Sequence, residues 1–101
     1  MNNTNPISVT YSDEKLWILV EEYITMQRKD FTFKGVCDYI LYRAMEEERT
    51  KGDGLYESDQ LAQNDCVRVN CILQRIINEQ RIACVSGRLD AFVDDTKFEK
   101  K

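Results

Sequence analysis

The chain contains no histidine, one proline, four glycines and one tryptophan in 101 residues. Without histidine, the usual general base near neutral pH and the commonest metal ligand are both missing. No G-x-S-x-G, no phosphate-binding P-loop and no full EF-hand ligand set stands in for them. The sequence therefore predicts no enzyme, no metal site and no cofactor. So few Gly and Pro positions argue against disorder over most of the length and for a helix-rich domain. No apolar run reaches the roughly 18 to 20 residues of a membrane span, and the N-terminus lacks the basic patch and apolar stretch of a secretory signal. A cytoplasmic protein that does not enter membranes is the expectation.

Cys37, Cys66, Cys71 and Cys84 sit among apolar residues rather than in turn-rich loops, which points to reduced thiols and not to a disulfide framework. Cys66 and Cys71 lie five apart on one predicted helix, so they cannot share a zinc ion or a local disulfide without unwinding it. Glu46, Glu47 and Glu48 are consecutive on a helix and point in different directions, away from any common ion. Gly52 and Gly54 form a lone G-x-G that reads as a turn.

Apolar residues make up 43% of the chain, enough for one core without staples. One domain over 12–95 is expected, between a flexible N-terminal segment, 1–11, and a flexible C-terminal tail, 96–101. The net charge of −4 hides an asymmetry. Residues 1–65 carry seven basic and thirteen acidic side chains, residues 66–101 seven basic and five acidic.

Thr10 and Asp13 stand in capping-box spacing before a first helix that runs to about Gln27. Leu16, Leu19, Val20, Tyr23 and Ile24 form its apolar stripe, with Trp17 as a lid beside it. Phe31, Thr32 and Phe33 make a short aromatic, β-branched run, a small strand or an extended link, and Thr32 is placed to cap the next helix. That helix spans Lys34 to about Arg49 and buries Val36, Cys37, Ile40, Leu41, Ala44 and Met45. The connector Thr50 to Gln63 is long, with a short helical turn expected around Asp59 to Gln63.

Asn64 or Asp65 caps the third helix, Asn64 to Gln80. Its apolar stripe is Cys66, Val69, Ile72, Leu73, Ile76 and Ile77, and its opposite face shows Val67, Cys71, Gln74, Arg75 and Asn78 with Arg68 on the flank. Ile82 to Ser86 then alternates like a strand, turns at Ser86, Gly87 and Arg88, and alternates again over Leu89 to Val93. Either turn register keeps Ile82 and Cys84 on one face with Leu89, Ala91 and Val93. The other face shows Val85 and Phe92.

The order helix, short strand, helix, helix, two-stranded hairpin resembles a winged helix-turn-helix domain of an uncharacterised bacterial protein family. The resemblance covers Ser12 to Asp94 and implies an α+β, mainly helical fold of three helices with a short strand and a C-terminal β-hairpin wing at 81–94. It also implies a DNA-binding transcriptional regulator, acting as a dimer on double-stranded DNA through Arg68, Gln74, Arg75, Asn78 and Arg88. The alternative use of the same fold is a protein-interaction or dimerisation module without DNA binding. Val67, Cys71, Val85 and Phe92 would form its interface, and the partner would be a second copy or another protein. The acidic total weighs against DNA.

Overall fold

The structure, a computed structural model, describes residues 11–50, 61–87, 93 and 95–101, and the side chains of these except 48–50. The fold is α+β and mainly helical. It has helices α1 (Asp13–Met26), α2 (Phe33–Thr50) and α3 (Gln63–Asn78), and strands β1 (Asp30–Thr32), β2 (Ile82–Ser86) and β3 (Lys97–Lys100).

Local chemistry sets the helix starts. Ser12, rather than Thr10, caps α1: its Oγ accepts the Lys15 N–H at 3.1 Å, and Asp13 and Glu14 follow at the positive end of the helix dipole. Thr32 caps α2 by accepting the Gly35 N–H at 3.1 Å. The cap of α3 departs from expectation. Ala62 occupies that position with no side-chain hydrogen bond, because Asp65 lies inside the first turn and its carboxylate is drawn to Arg68. Of the turn expected around Asp59 to Gln63, Asp59 and Gln60 lie outside the described residues, while Leu61 forms a β-bridge, Ala62 is extended and Gln63 begins α3.

The helical stripes meet in one core. Leu16, Leu19, Val20 and Ile24 of α1 pack with Val36, Cys37, Ile40 and Leu41 of α2 and with Val69, Ile72, Leu73 and Ile76 of α3. Tyr23, Ala44, Met45, Cys66 and Ile77 close its margins, half-buried. Gly35 lets α2 approach α1, since a Cβ there would overlap the Tyr23 hydroxyl. All four cysteines are free thiols: Cys37 is buried, Cys66 and Cys84 are half-buried, and Cys71 is exposed.

The sheet corrects the C-terminal reading. Its strands are antiparallel in the order β1-β3-β2, so the segment expected to be a flexible tail, 96–101, supplies the central strand. Phe98 is fully buried, pairs with Phe31 on one side and Cys84 on the other, and stacks on the Phe31 ring at 5.4 Å. Both neighbours consume the backbone groups of β3, and Lys100 adds a bond from its Nζ to the Gln27 carbonyl at 3.0 Å. The partner of β2 among the described residues is thus Lys97–Lys100, where a strand over Leu89 to Val93 was expected to pair with it. Residues 89–92 lie outside the described set, and Val93 belongs to a turn, its carbonyl accepting the Thr96 N–H. Its side chain is 61% exposed rather than core-facing. A bulge between Cys84 and Ser86 interrupts the β2–β3 register and leaves Val85 exposed.

Candidate functional site

Helices α1 and α3 are tied side by side by three arginines. Near the helix starts, Arg68 bonds Asp13 Oδ1 through Nη2 at 2.8 Å. One to two turns further, the Arg75 guanidinium covers the Trp17 ring, 5.3 Å from its centroid. Past the end of α3, Arg81 bonds Glu21 Oε2 at 2.7 Å. The order 13, 17, 21 on one helix against 68, 75, 81 on the other makes the two run in the same direction.

Between them lies an open cavity of about 620 Å³. Its apolar lining is Trp17 and Ile18 from α1 with Val67, Cys71 and Ile72 from α3. Ile18 and Val67 are 48% and 50% exposed, so these are apolar side chains left in water on both walls. Asp13, Glu14, Arg68, Arg75 and Glu79 form the charged rim.

Arg68 is deeply engaged. Beside its two bonds to Asp13 Oδ1, from Nη2 and from Nε at 2.9 Å, its Nη1 reaches Asp65 Oδ1 at 3.1 Å and its Nη2 donates to the Tyr11 carbonyl at 2.6 Å. The Asp65 carboxylate is fully buried. Burying a charge is tolerable only when it is paired and hydrogen-bonded, so Arg68 is needed where it stands and joins the starts of α1 and α3. The remaining residues expected to meet DNA are spread along the helix. Gln74 is half-buried, Arg75 and Asn78 are exposed, and Arg88 lies outside the described residues. Of those expected at a protein interface, Val67 and Cys71 come together in the groove, Val85 is exposed on β2 away from its lining, and Phe92 lies outside the described residues.

Sequence reasoning missed the α1 wall. Trp17 was legible as a lid, but Ile18 carries the signal that could have found the groove: it breaks the polar face of α1 as Val67 and Cys71 break that of α3.

A second, shallower hollow is lined by Tyr39, Tyr42, Arg43, Glu46 and Glu47. At its edge Tyr39 donates to Glu22 Oε1 at 2.8 Å and Arg43 Nη1 bonds the same oxygen at 2.9 Å, bracing α2 on α1. The Tyr39 hydrogen bond holds the Glu22 carboxyl below its usual range, against partial desolvation and with help from Arg43. Desolvation, and then the bond to Glu22, raises the Tyr39 hydroxyl. Neither group exchanges its proton near neutral pH, so this cluster is a brace and not an acid–base pair.

Among the described residues no group of three or more Cys, Asp or Glu could hold a metal ion, and no described helix is long and apolar enough to cross a membrane. No protein-family model, no curated protein and no solved structure matches the chain.

Proposed function

We propose that this chain is a winged-helix module that works by docking protein in the groove between α1 and α3. The single observation that carries the reading is the pair of apolar walls, with Ile18 and Val67 each about half exposed over a hollow of about 620 Å³. Large apolar side chains gathered around a concavity and rimmed by charge mark interaction surfaces more than solvent faces. The winged-helix arrangement is supported by the element order and by β1 joining the same sheet as the two C-terminal strands.

Electrostatics favour protein over nucleic acid as the partner. Phosphate binding needs cations free to replace counterions. Here Arg68 serves Asp65 and Asp13, Arg81 serves Glu21 and Glu79, Arg43 serves Glu22, and Lys97 serves Asp30. Duplex DNA is the second reading, favoured by Arg75 and Asn78 standing exposed with Gln74 on the outward side of α3. A titration of the purified chain with mixed-sequence duplex at low and moderate salt separates the two. The docking reading expects no salt-sensitive binding in the micromolar range; binding that Arg75→Ala removes would reverse the assignment.

A further inference from the structure

We infer that the occupant of the α1–α3 groove is the same groove of a second copy of this chain. The inference rests on the docking reading above and names its partner. It comes from the charges on the rim. Asp13 and Arg68 neutralise each other, and Glu79 bonds Arg81. Among the described residues Glu14 and Arg75 are then the rim charges with no ion pair. They have opposite signs and stand at different levels of the groove: Glu14 follows Asp13, which meets Arg68, whereas Arg75 lies two turns further along α3.

A twofold axis through the groove exchanges those levels. Cys71 marks its place, one turn after Arg68 and one turn before Arg75, and it is exposed. Rotation about that axis sets Glu14 of each copy towards Arg75 of the other, giving two equivalent ion pairs. The surface is also self-complementary in shape. Ile18 and Val67 project beside a hollow floored by Trp17 and Ile72, so each copy offers both the knobs and the space they fill. A closed twofold pair needs such an isologous patch, and its product is a four-helix arrangement of α1 and α3 from two chains.

Sedimentation equilibrium over a range of concentrations tests this. The wild-type chain should reach twice its 11.9 kDa mass. Glu14→Arg and Arg75→Glu should each weaken the pair about tenfold or more, since each turns the two ion pairs into two like-charge contacts, and the double exchange should restore it. Val67→Asp should leave a folded monomer by circular dichroism. A short bismaleimide should join wild-type chains covalently and fail with Cys71→Ser. A wild-type chain that stays monomeric would overturn the second copy as occupant; if that monomer still bound the dye bis-ANS and Val67→Asp lost it, the groove would stand as a docking surface for a different protein. A dimer indifferent to Val67→Asp and to both charge changes would overturn the inference and the docking reading together.

Discussion

The guanidinium of Arg75 stands over the indole of Trp17, 5.3 Å from the ring centroid. This places the only tryptophan of the chain at the midpoint of the α1–α3 groove, under a cation that has no acidic partner among the described residues. One side chain thus contributes a cation–π contact to the fold and a charge to the rim. It cannot serve a DNA duplex and a groove partner at once, so the two uses of α3 compete.

Arg68 is a structural residue before it is anything else. Arg68→Ala removes the ion pair of the buried Asp65 carboxylate and should destabilise the fold by about 3 to 5 kcal/mol. Replacing both residues, Asp65→Ala with Arg68→Ala, should cost less than the sum of the single changes. Urea unfolding of the four proteins in a double-mutant cycle checks this; additive losses would mean that the pair is not coupled.

Phe98 holds the sheet together from its centre. Phe98→Ala should cost about 3 to 5 kcal/mol, and a chain ending at Asp95 should lose cooperative unfolding. A thermal melt of either variant that matched the wild type would show that 97–100 is dispensable.

Gly35 is required by its neighbour rather than by its backbone. Alanine is the better helix former by about 1 kcal/mol, yet its Cβ would overlap the Tyr23 hydroxyl. The Tyr23 ring is itself held edge-on to Phe31 and tilted against Tyr39, so it cannot swing aside cheaply. Gly35→Ala should therefore lose about 1 to 3 kcal/mol, and Tyr23→Phe should rescue much of that loss by removing the clashing oxygen. Equal melting temperatures for Gly35→Ala with and without the second change would contradict the mechanism.

The brace at Glu22 gives a pH dependence with a definite sign. Its carboxyl is depressed below the usual 4.5, first by the Tyr39 hydrogen bond. The stability it contributes is therefore fully present above that value and is lost as the pH falls through the lower folded value. The melting-temperature gap between wild type and Tyr39→Phe should be widest at neutral pH and narrow in acid. A gap that stayed constant from pH 7 down to pH 3 would remove Glu22 from the explanation.

Gln80 ends α3 with φ at +62°, where its N–H bonds the Ile77 carbonyl and the Arg81 N–H bonds that of Ile76. This left-handed cap favours glycine. Gln80→Gly should stabilise by up to about 1 kcal/mol, a rise of roughly 4 to 8 °C in Tm for a chain of this size; a lower Tm would show that the glutamine side chain matters more than its backbone.

The helices were legible because their signals are local, apolar spacing and a capping Thr32; β1 was one of two readings of Phe31 to Phe33, of which the strand takes Asp30–Thr32 and Phe33 starts α2. β3 was not legible, because Phe98 is its sole apolar residue among Lys97, Glu99 and Lys100, and only its two neighbouring strands make it a strand. The groove was half legible. Val67 and Cys71 stand out as apolar residues on the wet face of α3, while the α1 wall depends on how two distant helices pack. Arg68 looks like any exposed basic residue until Asp13, 55 positions away, is brought beside it.

The most direct measurement follows the single Trp17 indole in ¹⁵N–¹H spectra, first as the protein is concentrated and then as duplex DNA is added to a dilute sample. With a second copy seated on the groove, the indole resonance moves with protein concentration, Val67→Asp abolishes the movement, and duplex leaves it in place. A resonance that ignores concentration and shifts with DNA would contradict that seating.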